Sequence, residues 1–182
     1  MKINGKYKSK VHGKKIWQVF AHGFDDAHLW MSAVPNSYAE SVGKKFDGAQ
    51  TEGRVCELTP NPNGLRAYED FLDYDEENMS AYVRVSFSNA PAFLPFVENR
   101  LFIQIEDKDA ATVNYRFECK LKPLGLLFYP LTRLAMGFFS SQIIEELVYY
   151  SEHGRPHPRK LKKNHAPKTQ QEAQQKVSGQ AA

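Results

Sequence analysis

Residues 121–141, LKPLGLLFYPLTRLAMGFFSS, hold two cations and no acid, and no other stretch of the chain is as apolar. Such a segment can cross a membrane, fill a core or wall a cavity. Crossing takes ~20 apolar residues in an unbroken helix. Here Arg133 sits within the run and Pro130 breaks the backbone ladder, which argues against a transmembrane span. A helix apolar on every side is otherwise buried, and Pro130 marks a kink or the true start of the helix. Beyond it, Ile143, Ile144, Leu147 and Val148 oppose Gln142, Glu145, Glu146 and Glu152. Gly154 as cap and Pro156 past it end the pattern. One long helix is expected from about Leu124 to Glu152.

A long helix needs a partner layer, and the preceding sequence supplies one. KYKSKV reads as a first strand. Two short helices follow, one in KKIWQVFAHGF and one in DDAHLWMSAVP, the second with Asp25 or Asp26 as cap. GRVCELT and LRAYEDFLDY flank the turn chemistry of PNPNG, and DEEN turns into SAYVRVSFS. In NRLFIQIED, Leu101, Ile103 and Ile105 share a face; in TVNYRFECKL, Val113, Tyr115, Phe117 and Cys119 do. Period-two alternation with one apolar face predicts an antiparallel sheet covered on one side. NAPAFLPF, with two prolines, reads as a loop or irregular edge.

Charge and cysteine content narrow the function classes. Residues 155–182 carry seven Lys/Arg against Glu172, leaving 17 basic and 20 acidic residues in 1–154. A mildly acidic body is not built around a basic nucleic-acid groove. The appended segment has three prolines, many Gln and Lys, and no aromatic residue, so a domain of residues 1–154 followed by a disordered basic tail is expected. That tail serves solubility, or touches anionic lipid or RNA weakly. Cys56 and Cys119 make no CxxC pair, and MKINGKYKSK leads into no apolar run; free thiols and a cytoplasmic location are expected. His22, Asp25, Asp26 and His28 lie close in HGFDDAH. Their spacing is not that of a zinc site, and helix capping is the simpler role for the acids. No phosphate loop or nucleophile elbow is present, and no metal or cofactor is expected.

The element order, with IWQVF, GRVCEL, AYEDFLDYDEENMSAYVRV, TVNYRFE and a terminal helix ending YYSEHG, resembles the START-related helix-grip superfamily (SRPBCC), polyketide cyclases included. The resemblance spans about Tyr7 to Gly154. It implies an α+β fold in which a curved antiparallel sheet wraps a long C-terminal helix and encloses an apolar cavity. It also maps the family's Arg, Glu and aromatic positions onto Arg54, Glu69 and Tyr82, with Tyr74–Asp75 between them. GKKFDGAQTEG is longer than the family's usual lead into Arg54, which leaves the register of residues 43–58 open, and NAPAFLPF departs from regular strand pairing.

If Arg54 and Glu69 both point inward they must pair, because a lone buried charge is too costly. The alternative is two outward charges bridging neighbouring strands. Leu127, Phe128, Leu131, Leu134, Ala135 and Phe138 recur at three and four and are expected to face the sheet. Core packing would explain that stripe, while the resemblance implies unfilled space beside Ala135 and Gly137. Tyr115, Phe117 and Cys119 would form the opposite wall, Cys56 and Phe71 would contribute from neighbouring strands, and Trp30 would stand near the entrance. The leading expectation is a carrier for a hydrophobic small molecule such as a lipid, polyketide or aromatic metabolite. A cyclase or dehydratase using Glu69 and Tyr82 is the second. The third is an interaction module that uses residues 124–139 and the basic tail against a membrane or protein partner.

Overall fold

The alternating segments between Gly53 and Leu121 become five consecutive strands in the computed structural model, which describes residues 1–107 and 110–164. They are β3 (Gly53–Glu57), β4 (Arg66–Asp75), β5 (Ser80–Ser88), β6 (Phe96–Asp107) and β7 (Ala111–Leu121). With β1 (Lys2–Lys8) and β2 (Asn36–Ala39) they form an antiparallel sheet in the order β1-β7-β6-β5-β4-β3-β2. A bulge between Phe71 and Asp73 shifts the register of β4 against β5, bending the strand where an extra residue must be accommodated. The segment from Asn89 to Pro95 is a loop.

The N-terminal helices lie between β1 and β2. Helix α1 (Gly13–Trp17) continues as a π-helical turn to His22, and a 3₁₀ turn over Phe24–Asp26 leads into α2 (Ala27–Trp30). Asp26 holds the cap position of α2, but its side chain makes no capping bond. The π turn is locked from outside by Glu76, whose carboxylate accepts from Trp17 Nε1 at 2.9 Å and Tyr74 Oη at 2.6 Å, with His22 Nε2 at 3.0 Å. Burial would raise the Glu76 carboxyl, but these partners outweigh it and hold its pKa below the ordinary value.

The C-terminal helical region is broken. Helix α3 (Pro123–Leu127) ends at Phe128, and α4 (Tyr129–His153) begins with Pro130 in its first turn, where the missing N–H costs nothing. Gly154 closes α4 with φ 64°, a left-handed conformation that glycine enters without a Cβ clash. Among the described residues, no helix is long and apolar enough to cross a membrane.

Helix α4 packs against β1, α1 and α2. Ile143, Ile144, Leu147 and Val148 enter a core shared with Val83, Ile103 and other inward residues of the sheet. The chain does not become disordered at Arg155. Helix α5 (Pro158–Asn164) docks back onto the body: buried Lys160 donates to the carbonyls of Met31 and Val34 at 3.1 and 3.0 Å. Arg159 pairs with Glu145 and Glu146. Two of the cations that made this stretch look like a solvated tail are therefore structural. The rest of the expected tail, residues 165–182, lies outside the described residues.

Candidate binding cavity

Strand register sets out the floor of the cavity. Pairing aligns Arg54, Glu69, Val85, Asn99 and Cys119 in one row across β3 to β7. Leu101 and Phe117 stand two residues along from Asn99 and Cys119, on the same face because strand side chains alternate. Met136, Phe139, Ile143, Ile144 and Leu147 of α4 cover this floor. Phe20, Trp30 and Val34 close one side. Between floor and roof is a cavity of about 90 Å³. An apolar cavity of ~150 Å³ holds one benzene, so even a ligand of that size requires the wall to move.

The charged end of the cavity is fully paired. The Arg54 and Glu69 side chains retain 3% and 11% of their exposure, with Nη2 at 2.6 Å and Nε at 3.0 Å from Glu69 Oε2. Arg54 Nη1 donates to the Phe24 carbonyl, and the guanidinium lies 4.1 Å from the centre of the Phe24 ring. Burial disfavours the Arg54 charge, but Glu69 outweighs it and holds the pKa above the ordinary arginine value. Burial pushes the neighbouring Cys56 thiol far above its usual range, and Glu69 adds to the shift, so Cys56 is an inert thiol.

Two other lining side chains are not satisfied. Trp30 is 2% exposed and its Nε1–H has no partner; Asn99 is 7% exposed and its Oδ1 has none. Buried polar groups are nearly always bonded, and one left open costs about 1–3 kcal/mol. Trp30 and Asn99 both line the one apolar cavity, and a bound molecule that reaches the unpaired donor and acceptor can complete them.

Of the residues expected in the site, the structure brings Trp30, Arg54, Glu69 and Phe117 to the cavity wall. Cys56, Phe71 and Cys119 are buried in the core but do not line it, Phe71 packing at 4.3 Å from Phe24. Tyr115 lies across Gly5 of β1, where its ring occupies the space a Cβ would need. Tyr82 is on the opposite face from Glu69: it pairs with Asp73 and Phe102, odd-numbered steps from Val85, and donates to Glu118 Oε2 at 2.9 Å.

The largest correction concerns α4. Phe128, Leu131, Ala135 and Phe138 were expected against the sheet and instead face away from it. Inward positions in the same turns are Thr132, Met136 and Ser140. Asn99 and Met136 were missed. Extending the Leu101–Ile103–Ile105 alternation back one step would have placed Asn99 on the apolar face.

The acids and histidines of HGFDDAH are spent separately. His22 faces Glu76, while His28 Nδ1 lies 3.0 Å from Ser37 Oγ, which itself donates to the Asp25 carbonyl. Among the described residues, no three His, Cys, Asp or Glu side chains converge as metal ligands.

No family model matches the sequence, and no curated protein is similar enough to it to count as a relative. Solved structures are similar in fold. Ara h 8.0201 superposes with a TM-score of 0.62 at 11% identity, covering 83% of this chain and 97% of that one. Norcoclaurine synthase from Thalictrum flavum, in complex with dopamine and hydroxybenzaldehyde, gives 0.54 at 19% identity, over 84% and 87%. DynU16, a protein of the dynemicin biosynthetic locus, gives 0.53 at 13% identity, over 85% of this chain and 48% of its own. An open antiparallel sheet, a long C-terminal helix clasped on one face and short helices near the N-terminus are common to this chain and these neighbours, and its fold is a helix-grip fold.

Proposed function

We propose that the protein is a carrier that binds a small hydrophobic molecule bearing one polar group, held between the sheet and α4. The observation that supports it is an apolar cavity lined by Trp30 and Asn99, whose Nε1–H and Oδ1 are unpaired. Apolar burial would supply affinity and these two atoms orientation, the division of labour usual in small-molecule sites. A ligand hydroxyl suits both, since it can accept from an indole N–H and donate to an amide oxygen. Arg54 and Glu69 would act as a rigid, neutralised end wall. Acid–base chemistry by a Glu69–Tyr82 pair lacks geometric support, because the two side chains lie on opposite faces of the sheet.

Asn99→Leu is the discriminating substitution. It removes the unpaired oxygen and keeps an apolar wall, so the ligand-free protein should melt higher while a hydroxylated ligand found by native mass spectrometry binds more weakly. A gentle purification that yields no bound small molecule, together with an Asn99→Leu melting temperature equal to or below that of the parent, would refute the carrier reading.

A further inference from the structure

The first half of α4 is inside out. Its sheet-facing positions are Thr132, Met136 and Ser140, whereas Leu131, Leu134 and Phe138 stand 66%, 73% and 68% exposed on the opposite side. Among the described residues, nine of the fourteen exposed large hydrophobic side chains fall between Leu124 and Phe139. Scattered apolar side chains on a surface are ordinary, but a contiguous apolar face marks an interaction site. The face extends beyond the helices: Lys122 N–H donates to the Pro95 carbonyl at 2.8 Å, holding the loop that carries exposed Phe93 beside α3.

Charge identifies the occupant. From Leu121 to Ile144 the chain has Lys122 and Arg133 and no Asp or Glu. Arg133 also fixes the face to the sheet edge by donating to the Lys2 carbonyl at 2.8 Å. Glu98 and Glu118 alternate with the inward row and lie on the sheet face away from α4, where Arg100 engages Glu98, and Lys2, Arg116 and Tyr82 engage Glu118. An apolar face with a cationic margin fits the interface of an anionic bilayer, where leucine and phenylalanine enter the acyl boundary and lysine and arginine stay at the headgroups. A second copy fits less well, because a two-fold contact would set the same cationic margins against each other. Residues 165–182 offer the face only Val177 as a large apolar side chain, too little to cover it.

We propose that α3 and the first half of α4 form a docking face for an anionic lipid surface. Phe139 ties this face to the cavity, since it is half exposed on the helix and also lines the cavity wall. Resting on the carrier reading, that placement makes the docked face the side from which a hydrophobic ligand enters. The docking itself does not depend on what the cavity holds.

The test is co-sedimentation of the full chain with phosphatidylcholine vesicles and with phosphatidylcholine–phosphatidylserine vesicles. The parent should bind the anionic vesicles with roughly tenfold or greater preference, weakening as salt rises. Leu131→Glu with Leu134→Glu should lose that binding at an unchanged melting temperature, and Lys122→Glu should weaken the anionic preference several-fold. Failure of the parent to bind, or undiminished binding by the leucine variant, which keeps residues 165–182 intact, overturns the proposal. So does a parent dimer in sedimentation that the leucine variant abolishes. Binding of the native ligand in vesicle-free solution should be the same in the leucine variant as in the parent, so failure of docking and failure of the carrier reading are distinguishable.

Discussion

The two halves of α4 solve opposite problems with similar residues. From Gln142 to His153 the helix puts Ile143, Ile144, Leu147 and Val148 into the core. Its one buried acid, Glu146, accepts from Ser32 N at 2.8 Å and Arg159 Nε at 3.1 Å. From Tyr129 to Ser140 it turns Thr132, Met136 and Ser140 inward and its leucines and Phe138 outward. The apolar faces of the two halves point in opposite directions, so the amphipathic signal cancels along the whole helix. Apolar content by itself therefore does not say which half holds the fold together. The second half supplies stability, and the first leaves room beneath itself and an apolar face above.

The sharpest way to break that contrast is to make the same substitution in each half. Leu147 is fully buried, so Leu147→Ala should cost about 2–5 kcal/mol. Leu134 is exposed, so Leu134→Ala should stay within about 0.5 kcal/mol. Denaturant melts of the two variants measure the difference directly, and equal losses would mean that the first half packs as tightly as the second.

Glu146 sharpens the same point at smaller scale. Truncating it leaves the Ser32 N–H and half of the Arg159 contacts without an acceptor in a buried place. Glu146→Ala should therefore cost about 1–3 kcal/mol. Part of that loss should come from loosened docking of α5, seen as faster amide exchange in residues 158–164. A variant as stable as the parent would show that Lys160 and its two carbonyl partners hold α5 unaided.

Why the sequence misled on α4 is instructive. Recurrence at three and four correctly groups Leu131, Leu134 and Phe138 on one face, but periodicity cannot say on which side of the helix the sheet lies. A face rich in leucine is normally the core face, and that default fails where another apolar medium is available. The sheet was more legible, since alternation is a local property and turn residues mark its ends. Even there β2 went unread: its four residues place only Ser37 inward, so no apolar alternation exists to detect. The orientation of Tyr82 was readable, because it shares parity with Arg84 rather than with Val83 and Val85. Docking of residues 155–164 was not readable, because Lys160 is satisfied by carbonyls more than a hundred residues away.

The smallest expected effect concerns cysteine chemistry at the end of the strand row beside the cavity. Cys119 shares its row with Asn99 and is buried; burial raises its thiol to about 11, with the N-terminal ammonium pulling weakly the other way. Only the thiolate reacts with an alkylating reagent, and below a pKa of that size its fraction grows about tenfold per pH unit. Alkylation of the native protein should thus be slow at neutral pH and accelerate steadily on the alkaline side. Burial of the neutral thiol favours the folded state up to the unfolded thiol's ordinary pKa. That stability is lost as pH rises from there through the folded value. Mass spectrometry of intact protein counts the modified thiols, and Cys119→Ser separates them from Cys56, whose thiol should react more slowly still. Anionic vesicles make the measurement a probe of the first half of α4. If docking there loosens the cavity roof, Cys119 should be alkylated faster with vesicles than without, at one pH. An unchanged rate would mean that the outward face can meet lipid without Cys119 being uncovered.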